Sequence, residues 1–91
     1  MTKFDCLKSL CALGGRYDEI VHALNDDTEK LISATHRRLV SRNLRTLSEL
    51  IVNVEEEKIT FEEAGKIMGK LWADAGFIEG LLIFKAKIYL F

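Results

Sequence analysis

The chain has 91 residues, the length of one domain, and we treat 1–91 as a single helical domain. Its formal net charge of −1 excludes a protein that binds polyanions through overall charge alone. Hydrophobic residues make up 48% of it and proline is absent, which favours a core built from long, uninterrupted helices.

The amino-terminal segment predicts two short helices. Thr2 can cap the first, and Gly14-Gly15 is expected to end it, because glycine is common just beyond a helix C-terminus. The second runs from about residue 18 to residue 24. The pair resembles a helix-turn-helix, but Asp18 and Glu19 on the second helix would repel DNA phosphates. A packed helical corner is therefore the preferred interpretation.

A long helix is predicted from about residue 28 to residue 54, followed by three glutamates that oppose the helix dipole and should fray its end. Along it runs a coiled-coil pattern of 4-3 spacing, which predicts an oligomer seam. The seam residues are His36, Val40, Asn43, Leu47 and Leu50. The two polar members leave two alternatives open. Either they fix the register of a pairing between copies, with His36 adding pH sensitivity, or they bond nearby groups at the edge of the seam.

The same helix carries a basic cluster of four arginines: Arg37, Arg38, Arg42 and Arg45. The cluster predicts, as an alternative function, a small nucleic-acid-binding regulator that contacts phosphates. The other interpretation is a solvated helix face. It is favoured because no aromatic residue that could stack on bases is interleaved with the arginines.

Thr60 and Glu63 form the clearest local signal, a capping box that predicts the start of the last helix. Because the preceding connection is short, the two long helices are expected to form an antiparallel hairpin. Residues 83–91 leave helix and strand open, since Lys85 and Lys87 alternate there with apolar residues. Helix is favoured, because no other segment offers a strand partner.

Four glycines, Gly65, Gly69, Gly76 and Gly80, fall on one narrow stripe of the last helix, beside its core face. Each should cost roughly 1 kcal/mol relative to alanine, so the stripe predicts that another backbone comes close. The apolar residues around it exceed what one hairpin face can hide, which is typical of a partner surface. The predicted partner-binding residues are Trp72, Gly76, Phe77, Gly80, Leu81, Phe84 and Ile88.

The sequence offers no motif for catalysis, a metal or a cofactor. Cys6 and Cys11 point about 140° apart on a helix, so two buried free thiols are expected, and with His22 and His36 they lack the close spacing of zinc ligands. The first residues lack the plan of a signal peptide, and no apolar run approaches the ~20 residues of a membrane span. A cytoplasmic, non-enzymatic protein is therefore expected.

Residues 36–50 together with 58–72 resemble the small cytoplasmic early proteins of T-even-type phages, a group that includes lysis-inhibition accessory proteins, or cytoplasmic antiholins. The resemblance covers roughly half of the chain and carries over no site residue. It implies a non-enzymatic regulator that binds the cytosolic part of a membrane holin. The expected architecture is all-α: an antiparallel hairpin of two long helices, with two short N-terminal helices packed on it, forming a homo-oligomer.

Overall fold

The computed structural model describes the backbone of residues 2–90 and the side chains of residues 2–86. It contains three α-helices, α1 (Lys3–Asn25), α2 (Ala34–Glu55) and α3 (Phe61–Leu90), and no strand within the described backbone. The all-α prediction is confirmed. Of residues 83–91, whose state was left open, residues 83–90 are helical as favoured, and Phe91 lies outside the described residues.

The amino-terminal segment is one helix, so the prediction of two short helices was wrong. Thr2 caps α1 as expected, accepting the N–H of Asp5 and donating its own N–H to the Asp5 carboxylate. Gly14-Gly15 does not end the helix, and neither glycine has a positive φ. The buried face of α1 continues without interruption on both sides of the two glycines, and its burial outweighs their cost of roughly 1 kcal/mol each.

The second helix begins at Ala34 and not near residue 28 as predicted. The Asp27 carboxylate accepts the backbone N–H groups of Leu31 and Ile32, and Lys30 has a left-handed φ of 54°, so the chain turns there. Ser33 then caps α2 through its Oγ, which accepts the N–H of His36 at 3.2 Å. The helix ends at Glu55, within the run of glutamates expected to fray.

The third helix starts where the capping signal placed it. The Thr60 Oγ1 accepts the N–H of Glu63 at 3.1 Å, and α3 then runs through all four glycines without a break.

Two ion pairs show the relative direction of the helices. Lys3 at the start of α1 lies 3.8 Å from Glu57, just beyond the end of α2. Asp27, just beyond the end of α1, lies 3.0 Å from the Nζ of Lys85 near the end of α3. The chain therefore runs up, down and up in a bundle that measures 48 × 19 × 17 Å. In place of a hairpin carrying two short helices, α1 is a third full-length helix that packs on both others.

Each helix contributes one 4-3 stripe to a single core. Its buried members are Cys6, Leu10, Leu13, Tyr17, Ile20 and Leu24 on α1, Val40, Asn43, Leu47, Leu50 and Val54 on α2, and Ala64, Met68, Leu71, Ala75 and Ile78 on α3. The coiled-coil pattern is thus satisfied inside one chain, by three stripes that face each other.

Candidate protein-binding surface

The outer side of α3 between residues 72 and 86 exposes only side chains without polar groups. Inward positions of this stretch, such as Ala75 and Ile78, are buried, and positions on the opposite side of the helix face solvent. We call the exposed set the α3 outer face. It consists of Ala73, Gly76, Phe77, Gly80, Ile83 and Phe84.

The three charged residues of the same stretch all face the other helices and are bonded there. Asp74 accepts a hydrogen bond of 2.9 Å from the Asn43 Nδ2, Glu79 pairs with Arg16, and Lys85 pairs with Asp27. Charge is therefore present in this part of α3 but is used within the chain. The partly exposed Arg16–Glu79 pair borders the α3 outer face beside Gly76, and no charged residue of this stretch belongs to the face itself.

Three large side chains of this face are more than half exposed: Phe77 at 53%, Ile83 at 59% and Phe84 at 62%. The Phe77 ring meets the His36 ring of α2 edge-on, with 5.3 Å between centroids. Beside it, Leu31, Leu81 and Phe84 line a cavity of about 320 Å³ between the α1–α2 connection and α3. Single exposed apolar residues are common, whereas contiguous exposed apolar sets are typical of interaction surfaces.

The glycine stripe lies on the solvent side of α3, not beside the core face as predicted. A Cβ added at Gly65, Gly69 or Gly80 would meet no atom within 4 Å, and one at Gly76 would lie 3.6 Å from Arg16 Nη2. Among the described residues, no backbone atom of another helix lies within 4 Å of these Cβ positions. The close approach that the glycines suggested is therefore not made within the described part of the chain.

Trp72 is held within the chain at one edge of this surface. The Arg16 guanidinium lies 5.0 Å from the centre of the Trp72 ring and forms a two-point ion pair with the Glu79 carboxylate. This hydrogen-bonded pairing lowers the pKa of Glu79 and raises that of Arg16. Half-buried Trp72 therefore joins α1 to α3, and it is less available as a binding anchor than the sequence suggested. Arg16 and Glu79 are too far apart in sequence for any local pattern to pair them.

The seam predicted on α2 lies mainly inside the bundle. Val40, Leu47 and Leu50 are buried in the chain's own core, so a second copy cannot reach them while the bundle is closed. Asn43 is buried too. Its Nδ2 donates to the Tyr17 hydroxyl at 3.1 Å as well as to Asp74, so it contacts both neighbouring helices.

Tyr17 completes this contact by donating its hydroxyl proton to the backbone oxygen of Leu71 at 2.7 Å. Burial raises the pKa of Tyr17 above its ordinary value, which is already well above neutral pH. The polar seam residue therefore sets the register of three helices within one chain. His36, the other polar member, is half-buried and lies 3.0 Å from the Ser33 Oγ through its Nδ1.

The basic cluster divides into two parts. Arg37 is tied into the bundle, where it donates to the backbone oxygens of Leu24, Asp27 and Ile32. It also donates to the Asp27 carboxylate at 2.6 Å, so it is not part of a phosphate-binding stripe. Arg38, Arg42 and Arg45 are exposed on the outer side of α2, as both interpretations of the cluster require.

The sequence did not reveal the structural role of Asp27. Its side chain is fully buried and accepts from Leu31, Ile32, Arg37 and Lys85. The backbone N–H of Ile32, and then these other donors, hold the pKa of Asp27 far below its usual range. We call this group the Asp27 cluster. It joins the ends of α1 and α3 to the start of α2, next to the cavity.

The described residues contain no cluster of three or more His, Cys, Asp or Glu side chains that could hold a metal ion. Both cysteines are free, but only Cys6 is buried, and its burial raises the pKa of the thiol. The expected burial of Cys11 was wrong, because it lies on the exposed side of α1. Within the described chain, no helix has the length and apolar content needed to cross a bilayer.

Comparison of the chain with protein-family models, curated proteins and solved structures gave no significant match. The predicted partner-binding residues are therefore judged on geometry alone. The structure brings Gly76, Phe77, Gly80 and Phe84 together on the α3 outer face, with half-buried Leu81 and Trp72 at its edges. The side chain of Ile88 lies outside the described residues.

Proposed function

We propose that this chain is a non-enzymatic cytoplasmic regulator that binds another protein through the α3 outer face. One observation supports the proposal most directly. Every exposed residue from 72 to 86 is glycine, alanine, isoleucine or phenylalanine, although the same stretch contains three charged residues, all bonded to the rest of the bundle. Such a surface gains free energy when another protein covers it.

The exposed side chains can supply a useful part of that free energy. Full burial of a Phe or Ile side chain contributes about 1.5–3 kcal/mol, so covering the exposed half of each of three side chains contributes about 3 kcal/mol in total. That corresponds to roughly a hundredfold in Kd. The three are Phe77, Ile83 and Phe84.

A narrower form of the proposal is that the chain is a phage lysis-inhibition accessory protein whose partner is the cytosolic part of a membrane holin. Its support is the sequence resemblance over residues 36–50 and 58–72. The broader proposal stands on the α3 outer face and does not depend on it.

The test is recovery of the native partner from a lysate of the source organism with tagged wild-type protein, Phe77→Ser and Phe84→Ser. Both substitutions are at exposed positions, so circular dichroism should show an unchanged helix content. We expect each to reduce the recovered partner about fivefold to tenfold, as the loss of roughly 1 kcal/mol implies. Phe4→Ser is the matched control, because Phe4 is 73% exposed at the far end of α1.

The proposal is contradicted if both folded α3 variants recover as much partner as wild type, or if Phe4→Ser loses as much as they do. A partner identified as a second copy of the chain would make the regulator a homo-oligomer. Sedimentation of the purified protein over a range of concentrations detects that case directly.

A small nucleic-acid-binding regulator is the second candidate function, and the exposure of Arg38, Arg42 and Arg45 on one side of α2 favours it. Salt separates the two candidates. Binding through several phosphates weakens steeply as salt rises, whereas apolar contact is little changed. Loss of the partner in high salt, with no effect of the Phe77 and Phe84 variants, would favour nucleic acid.

A further inference from the structure

We infer that the partner of the α3 outer face is an amphipathic helix with acidic residues along one edge of its apolar stripe, lying against the outer side of α2 and α3. This inference rests on the proposed function and adds the chemistry of the partner. It joins two features that the sequence left as rivals, the apolar surface and the exposed arginines.

The two features lie side by side because α2 and α3 run in opposite directions. Asn43 of α2 bonds Asp74 of α3, and His36 of α2 meets Phe77 of α3, so residues 36–43 of α2 lie beside residues 74–77 of α3. Arg38 and Arg42 belong to that stretch of α2 and are exposed. Their row of positive charge therefore runs alongside the row of apolar side chains.

The basic row continues toward the other end of the bundle. Arg45 follows Arg42 by three residues on α2, and Lys70 precedes Phe77 by seven on α3, which places each on the same side of its helix. Beside the apolar row, Asp74 is occupied by Asn43. The exposed acids Glu49 of α2 and Glu63 of α3 are also on this side, but they lie nearer the α2–α3 connection than the apolar row does. A partner that complements the surface therefore needs an apolar stripe and a negative edge.

A helix suits the surface better than an extended chain. The shallow groove between two packed helices accepts a third helix along its length, with apolar residues at i, i+3, i+4 and i+7 as anchors. In addition, α3 is apolar on its inner and its outer side between residues 71 and 86, which is the pattern of a helix covered on both sides. In the single chain α1 and α2 cover only the inner side. The partner helix would complete a bundle of four.

Nucleic acid fits these observations less well than an acidic helix. Stacking on bases uses aromatic faces alone, but here aliphatic Ile83 and Leu81, together with Ala73, make up much of the surface around the rings. Such groups gain from contact with apolar side chains and offer nothing to a phosphate or a base edge.

The inference is tested with two fluorescein-labelled helical peptides of about 18 residues, or five helical turns. Both carry leucine at i, i+3, i+4 and i+7, and they differ only in having glutamate or lysine along one edge. Anisotropy titrations with the whole protein at low salt should show the glutamate peptide binding at least about tenfold more tightly, as two or three charge pairs predict.

Variants assign the preference to residues. Arg38→Glu with Arg42→Glu should remove or invert the preference for the glutamate peptide, and Phe84→Ser should weaken both peptides to the same degree. Lys8→Glu on the exposed side of α1 is the control for a simple change of net charge, and it should leave the preference intact. These are the results that support an acidic, helical partner.

Equal affinity for the two peptides, or binding of neither, overturns the inference. So does a preference that survives the double arginine variant, or an oligothymidine that binds more tightly than either peptide and ignores Phe84→Ser. None of these results contradicts the proposed function. The proposed function is tested separately, by whether the Phe77 and Phe84 variants lose the native partner from the lysate.

Discussion

Replacing Gly65, Gly69 and Gly80 by alanine is expected to stabilise the isolated protein. All three lie inside α3, none has a positive φ, and a Cβ at each would meet no atom within 4 Å. Glycine at such positions lowers stability relative to alanine, because an unfolded chain with glycine has more backbone freedom to lose on folding. No neighbouring group uses the space left by the missing Cβ.

The expected gain follows from helix propensity alone. Each change is worth about 0.8 kcal/mol when no contact is lost, so the triple variant should gain about 2 kcal/mol. For a domain of this size that raises the Tm by roughly 10 °C. Gly15→Ala is the matched control. Gly15 is exposed in α1 with equally open surroundings, and its replacement should gain about 0.8 kcal/mol.

Thermal and urea unfolding followed by circular dichroism at several protein concentrations measure the effect. A triple variant that is less stable than wild type, while Gly15→Ala is more stable, would refute the reasoning. That result would mean that the outer side of α3 is already covered in the purified protein, most simply by a second copy, and the loss should then grow with protein concentration.

The remaining predictions concern the polar contacts inside the bundle. Tyr17→Phe should cost about 1–2 kcal/mol in urea unfolding, because the Leu71 oxygen loses its side-chain donor; a smaller loss would mean that the Tyr17–Asn43–Leu71 contact does not join the helices. Asp27→Asn should lower the Tm at pH 7. Because the pKa of Asp27 is lower in the folded than in the unfolded chain, its ionised form stabilises the fold above the unfolded pKa, near 3.9, and this contribution is lost as the pH falls toward the folded pKa. The Tm difference between wild type and variant should therefore narrow below pH 4, and an unchanged difference would contradict the assignment.

Local rules predicted the local features of the fold. Thr2 and Thr60 cap the helices that follow them, and four of the five seam positions predicted on α2 are buried. Gly14-Gly15 shows where such rules fail. A glycine pair favours a helix end by a kcal/mol or two, but continuing α1 buries Tyr17, Ile20 and Leu24, which contributes several times as much.

Spacing alone also could not say which partner a stripe has. The 4-3 pattern of α2 was taken as a seam between copies, yet α1 and α3 carry the same pattern and the three stripes bury one another. The Asp27 cluster was hidden for a related reason. Asp27 lies in a turn rich in capping residues, and the Lys85 that approaches it is brought there only by the packing of α3 on α1.

A requirement for monomer stability alone does not explain which residues lie on the outer side of α3. A helix that only had to cover α1 and α2 would be more stable with alanine at Gly65, Gly69 and Gly80. It would lose only the contacts of the buried half of each side chain if Phe77, Ile83 and Phe84 were polar. The same helix pairs Glu79 with Arg16 and Lys85 with Asp27 inside the bundle, so this part of α3 can accommodate charged side chains. Glycines that reduce stability and apolar side chains that face solvent have one physical explanation in common. Both become favourable when a second surface lies against α3, since the first allow its close approach and the second are buried by it.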